Sequence, residues 1–135
     1  MKKIIISLML FSCTLFSGCK KQTPTPAPME YVTSVEVSYD YRSQHLYRRY
    51  TDSDKMDVIL FYLYDLKPYG MPTTEDPDEI IGDSCKITVH LSTGNKHVYR
   101  QRGSRYLSVD SHRWQKIKES QGTVLFHLVN HIQSD

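Results

Sequence analysis

The chain has 135 residues, of which 17 are Lys or Arg and 15 are Asp or Glu, for a formal net charge of +2. So near a balance excludes the long-range attraction by which strongly basic proteins gather nucleic acid. Three cysteines are too few for a disulfide framework, and a chain of this length buries about two thirds of its unfolded surface around one core without staples.

At the N-terminus Lys2 and Lys3 precede an apolar run over residues 4–16, broken only by small polar residues. As a helix this run spans only ~20 Å, short of the ~30 Å hydrocarbon core of a bilayer, which identifies the h-region of an exported leader and excludes a stable transmembrane helix. The run closes on Phe16-Ser17-Gly18-Cys19 and a polar, proline-rich stretch. That pattern resembles the signal peptide and lipobox of bacterial lipoproteins, with Phe16 where Leu is commoner. The resemblance covers the first twenty or so residues and implies cleavage after residue 18, diacylglyceryl attachment to the Cys19 thiol, and a protein held on a membrane face of the cell envelope outside the cytoplasm. Lys20 after the cysteine, in place of Asp, points to the outer membrane in a host that has one. Cys13 is the competing site, disfavoured by bulky Phe11 and by Leu15 and Phe16, which would remain on the mature end. Lys2 and Lys3 leave with the leader, so 15 basic residues balance 15 acidic ones in the mature chain. With Cys13 discarded and Cys19 alkylated, Cys85 has no partner within the chain.

Residues 19–30 form the lipidated cysteine and its tether. Pro24, Pro26 and Pro28 alternate with Thr23, Thr25 and Ala27, which favours extended polyproline II and offers no apolar face to bury. At ~3.1 Å per residue the segment reaches up to ~30 Å from the lipid surface. Residues 31–135 are the single globular domain, and no internal repeat occurs in it.

The domain opens on strict alternation. Val35, Val37, Tyr39 and Tyr41 are placed on one face of a strand, with Ser34, Glu36, Ser38 and Asp40 on the other. A polar break at residues 42–44 returns the chain as a second arm over 45–50. The period then changes: Met56, Ile59, Leu60 and Leu63 fall at helical spacing, Thr51, Asp52 and Ser53 are N-cap candidates, and Pro68 and Gly70 stop a helix over 54–66. Val58, Phe61, Tyr62 and Tyr64 widen its apolar surface beyond one stripe, and burial on two sides is expected over presentation to a partner. Residues 71–83 make an acidic loop with Glu75, Asp76, Asp78, Glu79 and Asp83. Their spacing does not match an EF-hand, and a solvated loop is expected.

A hairpin follows. Cys85, Ile87, Val89 and Leu91 alternate with polar residues, Gly94 suits the left-handed position of the turn at 92–95, and the return arm covers 96–102. Strand parity puts His90 opposite to Cys85, against a catalytic dyad, and Cys85 reads as a small buried hydrophobe. Residues 105–109 extend the meander, and 114–117 add a short strand or irregular edge. The last helix, over 120–132, carries Val124, Leu125, Leu128, Val129 and Ile132 as its core stripe. His127 and His131, four apart, are the weak candidates for metal ligands, but Leu128 occupies the position where a metalloprotease helix needs Glu; no metal and no cofactor is implied.

The order ββαβββα indicates an α+β domain, a two-layer arrangement with an antiparallel sheet of about five strands and both helices on one face. One charge asymmetry stands out. Lys96, Arg100, Arg102, Arg105, Arg113, Lys116 and Lys118 face only Asp110 between residues 96 and 118, with Tyr99, Tyr106 and Trp114 interleaved. The candidate binding residues are therefore Arg100, Arg102, Arg105, Tyr106 and Trp114, with Arg100 and Arg102 outward and Tyr99 and Gln101 inward by parity. No catalytic residue is indicated. The expectation is a lipid-anchored, non-enzymatic binding module, a monomeric domain whose partner is the membrane through its anchor and an envelope protein or anionic polymer, not nucleic acid. An envelope hydrolase and a purely structural component are the alternatives.

Overall fold

The computed structural model describes residues 29–41, 43–79 and 82–131, so the leader, Cys19, most of the tether and Ile132 lie outside the described residues. Six strands form one antiparallel sheet: β1 (Val32–Tyr41), β2 (Gln44–Tyr50), β3 (Ser84–Leu91), β4 (Lys96–Arg102), β5 (Tyr106–Val109) and β6 (Gln115–Lys116), in the spatial order β2-β1-β3-β4-β5-β6. Helix α1 (Ser53–Asp65) joins the edge strand β2 to β3, and α2 (Glu119–His131) closes the chain. The two-layer α+β architecture matches the expected one; the sixth strand is the two-residue segment foreseen as an irregular edge.

Period-two alternation is converted directly into register. Val35 pairs with Tyr50 and Val89, Val37 with Ile87, and Tyr39 with Cys85, so their side chains line up across three strands on one face. The β3–β4 pairing continues the rows through Ile87–Tyr99 and Cys85–Gln101. Val35, Val37, Tyr50, Ile87 and Ile117 are at most 2% exposed, and full burial of such side chains stabilises by about 1.5–3 kcal/mol each. Gly94, at φ +88°, takes the left-handed turn position expected of it.

Asp52 caps α1, its carboxylate accepting from the N–H groups of Asp54 and Lys55 at 3.1 Å. Met56, Ile59, Leu60, Tyr62 and Leu63 are buried on the sheet. The helix ends where Leu66 turns extended, two residues before Pro68. The expectation that α1 is buried on two sides is overturned: Phe61 is 76% exposed, Tyr64 68% and Val58 45%. No element covers that side among the described residues, because α2 meets α1 only along one margin, where Gln121 Nε2 donates to the Asp65 carbonyl at 3.1 Å. Val124 is likewise exposed, correcting its place in the core stripe of α2, whereas Leu128 packs against the core. The side chains of Leu125 and Val129 lie outside the described residues.

Both helices lie on the face that carries Cys85, Ile87 and Gln101. Gln101 Nε2 donates to the Gly122 carbonyl of α2 at 2.7 Å, and its Oε1 accepts from the Tyr62 hydroxyl of α1 at 3.0 Å. This one buried amide ties both helices to the sheet. At the other end of the strands the start of the domain is clasped to the β3–β4 turn: Glu30 Oε1 accepts from Thr93 Oγ1 at 2.8 Å and from Asn95 Nδ2 at 3.3 Å, and the Ser92 N–H donates to the Tyr31 carbonyl at 2.9 Å.

Candidate functional site on the open face of the sheet

The sheet face away from the helices has no second layer among the described residues. Its rows follow from the same register: Asp40–Ser84–Arg102–Tyr106, Ser38–Lys86–Arg100–Ser108, and Glu36–Thr88–Val98. Ser34, Thr88 and Ser108 are nevertheless buried, being short side chains beneath longer neighbours, so this face is not uniformly wet.

After β5 the chain curls over this face. Asp110 and Ser111 adopt left-handed φ values of +51° and +63°, and the Ser108 hydroxyl donates to the His112 carbonyl at 2.6 Å. Asp110 anchors the curl by accepting from the Val98 N–H at 2.7 Å and lying 2.7 Å from His97 Nδ1. Those two contacts, His97 first, hold its carboxyl below the usual carboxylate range. On the outer side the chain after α1 runs beside β6, with the Thr73 N–H donating to the Trp114 carbonyl and the Tyr69 N–H to the Lys116 carbonyl, each at 2.9 Å. Trp114 is thereby held as the wall of a hollow of about 230 Å³, bounded also by Ser38, Asp40, Ser84, Lys86, Arg100 and Arg102.

The electrostatics of the hollow are bipolar. Lys86 and Arg100 are direct cross-strand partners, both outward and exposed, and the row offers them only Ser38 and Ser108 as neighbours. Neither has a carboxylate partner among the described residues. Opposed like charges on a sheet are destabilising. Asp40 supplies the negative side: His45 Nδ1 lies 2.5 Å from its Oδ1, and the Ser84 hydroxyl donates to its Oδ2 at 3.3 Å. The bond with His45, helped by Ser84 and the charge of Arg102, holds this carboxyl below the ordinary carboxylate range.

The five candidate binding residues fall into two groups. Arg100, Arg102 and Trp114 meet in the hollow. Arg105 and Tyr106 line a second depression with Tyr69, Lys116 and Glu119 and are engaged by the chain itself: Arg105 Nη2 lies 3.0 Å from Glu119 Oε2, and the Tyr106 hydroxyl donates to Glu75 Oε2 at 2.5 Å. The Glu75 contact pushes the Tyr106 phenol above its usual range. Lys86, Asp40 and Ser84 were not among the expected site residues. Strand parity already put all three outward, but only the hairpin register sets Lys86 against Arg100. His127 and His131 are exposed on α2, and no group of three or more His, Cys, Asp or Glu side chains able to hold a metal occurs among the described residues.

On the opposite side of the molecule, Val58, Phe61, Leu66, Val124 and Leu128 line an apolar groove of about 380 Å³ between the two helices. Cys85 is 3% exposed beneath those helices, and burial, with the nearby Asp40 charge, pushes its thiol up to about 12. It should therefore react far more slowly with a thiol reagent in the native domain than after unfolding. Cys85→Ser should cost about 1–3 kcal/mol in a denaturation titration, because it buries a hydroxyl; rapid native labelling would contradict this packing.

No known protein family matches the sequence, and the searches of curated proteins and of solved structures found no match. No helix among the described residues is long and apolar enough to cross a membrane.

Proposed function

We propose that this chain is a lipid-anchored cell-envelope protein whose domain binds an anionic ligand on the open face of its sheet. The leader and Phe16-Ser17-Gly18-Cys19 support the anchor. The pairing of Lys86 with Arg100 carries the binding role. Two opposed cations in one row, with serines on both flanks, weaken the fold that bears them, and such local conflicts with foldability concentrate at functional sites. A bound anion relieves the repulsion, so the site holds its ligand with an attraction that the empty fold has left unsatisfied. The sealed Cys85 thiol, with its raised pKa, fits binding better than nucleophilic chemistry.

Two substitutions test the two halves of this reading. Cys19→Ser should abolish metabolic labelling with a fatty acid and release the protein from the membrane fraction; persistent labelling would move the anchor to Cys13. Arg100→Thr should raise stability by a few tenths of a kcal/mol, since it removes a like-charge pair from an exposed strand position. The same variant should elute from phosphocellulose at lower salt than the wild type. A loss of more than about 1 kcal/mol would make Arg100 a structural residue and remove the argument for a ligand.

A further inference from the structure

The hollow offers more than positive charge. Resting on the proposed anion-binding role, we infer that it accommodates one ring of an acidic saccharide, a sugar chain carrying carboxylate or comparable anionic groups among its hydroxyls. Three kinds of contact converge there. Lys86 and Arg100 provide charge for an anionic substituent. Trp114, partly exposed and fixed at its backbone by Thr73, presents an aromatic surface at the wall, where the C–H face of a sugar ring can stack. Asp40 and Ser84 provide acceptors for neutral hydroxyls on the other side.

That negative side decides between ligand classes. An acidic peptide has no ring face to stack on Trp114 and no hydroxyls beside its carboxylates, so a segment crossing from Arg100 toward Asp40 brings carboxylates toward Asp40 with only backbone N–H groups to offset them. The hydrogen bond with His45 keeps Asp40 ionised, which strengthens the conflict. A saccharide alternates anion, apolar ring face and hydroxyl donor, in keeping with the cation, indole and carboxylate around this hollow. Its size agrees as well: about 230 Å³ lies below the ~300–1,000 Å³ of a site that encloses a whole drug-sized ligand, and suits one unit of a longer chain lying over the sheet.

Trp114 is the only tryptophan of the chain, so its emission reports on the site directly. The full-length protein in detergent is titrated with oligogalacturonate, with oligoaspartate of equal charge and with neutral maltooligosaccharide. Oligogalacturonate should change the Trp114 emission saturably, bind at least tenfold more tightly than either other probe, and lose at least tenfold in affinity in Arg100→Thr and in Lys86→Ser. Trp114→Phe, followed by calorimetry, should weaken the same probe at unaltered melting temperature. Oligoaspartate binding as tightly as oligogalacturonate would overturn the saccharide assignment and leave the anion-binding role standing. Failure of both charged probes to bind would overturn the two together.

Discussion

Gly122→Ala should lower the stability of the domain by about 3 kcal/mol, the upper end of the cost of overpacking a well-filled site. A Cβ at this position would lie 2.0 Å from the Ser104 carbonyl oxygen and 2.6 Å from its carbon, both backbone atoms that no rotamer change can move aside. Helix α2 must then lift from the β4–β5 turn, and its lift stretches the 2.7 Å bond from Gln101 to the Gly122 carbonyl. The midpoint of a urea titration measures the loss. A change within 0.5 kcal/mol would mean that α2 does not approach Ser104 so closely. The same glycine costs helix propensity, roughly 1 kcal/mol relative to Ala, and close approach is what compensates for it.

Gln101→Leu should cost about 2–4 kcal/mol although it replaces a polar side chain by an apolar one of similar size in a buried position. Gln101 is 3% exposed and makes bonds in three directions: it accepts from Tyr62 and donates to the carbonyls of Gly103 and Gly122. Leucine removes all three while leaving the partners in place, and a buried group deprived of its partner costs about 1–3 kcal/mol. Tyr62→Phe should cost less, about 1–2 kcal/mol, because it breaks one of the three bonds and leaves only the Gln101 Oε1 without its donor. In the double variant the two losses should be less than additive, since residues that share a hydrogen bond are coupled. Strict additivity would show that the amide and the phenol act independently.

Most of the sheet is legible in the residues themselves because a one-sided sheet obeys a period of two. Val35, Val37 and Tyr39 on β1, and Cys85, Ile87 and Val89 on β3, are buried as their alternation demands, and Arg100 and Arg102 fall on the face opposite Gln101. Parity gives direction and not depth. Ser34, Thr88 and Ser108 are outward on the open face yet buried, because what shields them is the length of their neighbours and the curl over β5. The apolar flank of α1 misleads for a related reason: the hydrophobicity of Val58, Phe61 and Tyr64 says that they favour cover without saying that a second element supplies it. Lys86 escaped notice as a site residue because it lies in a different segment from the other cations. Its importance is a property of pairing across β3 and β4, and charge counted along the chain does not register it.

The clasp of Glu30 on Thr93 and Asn95 fixes where the chain enters the domain. Glu30 lies beside the β3–β4 turn, whereas the row holding Asp40, Ser84 and Arg102 lies at the far end of β1. The eight steps from Val32 to Asp40, at ~3.3 Å per residue, put about 26 Å of sheet between them. The hollow and the point where the chain enters the domain are therefore at opposite ends of β1.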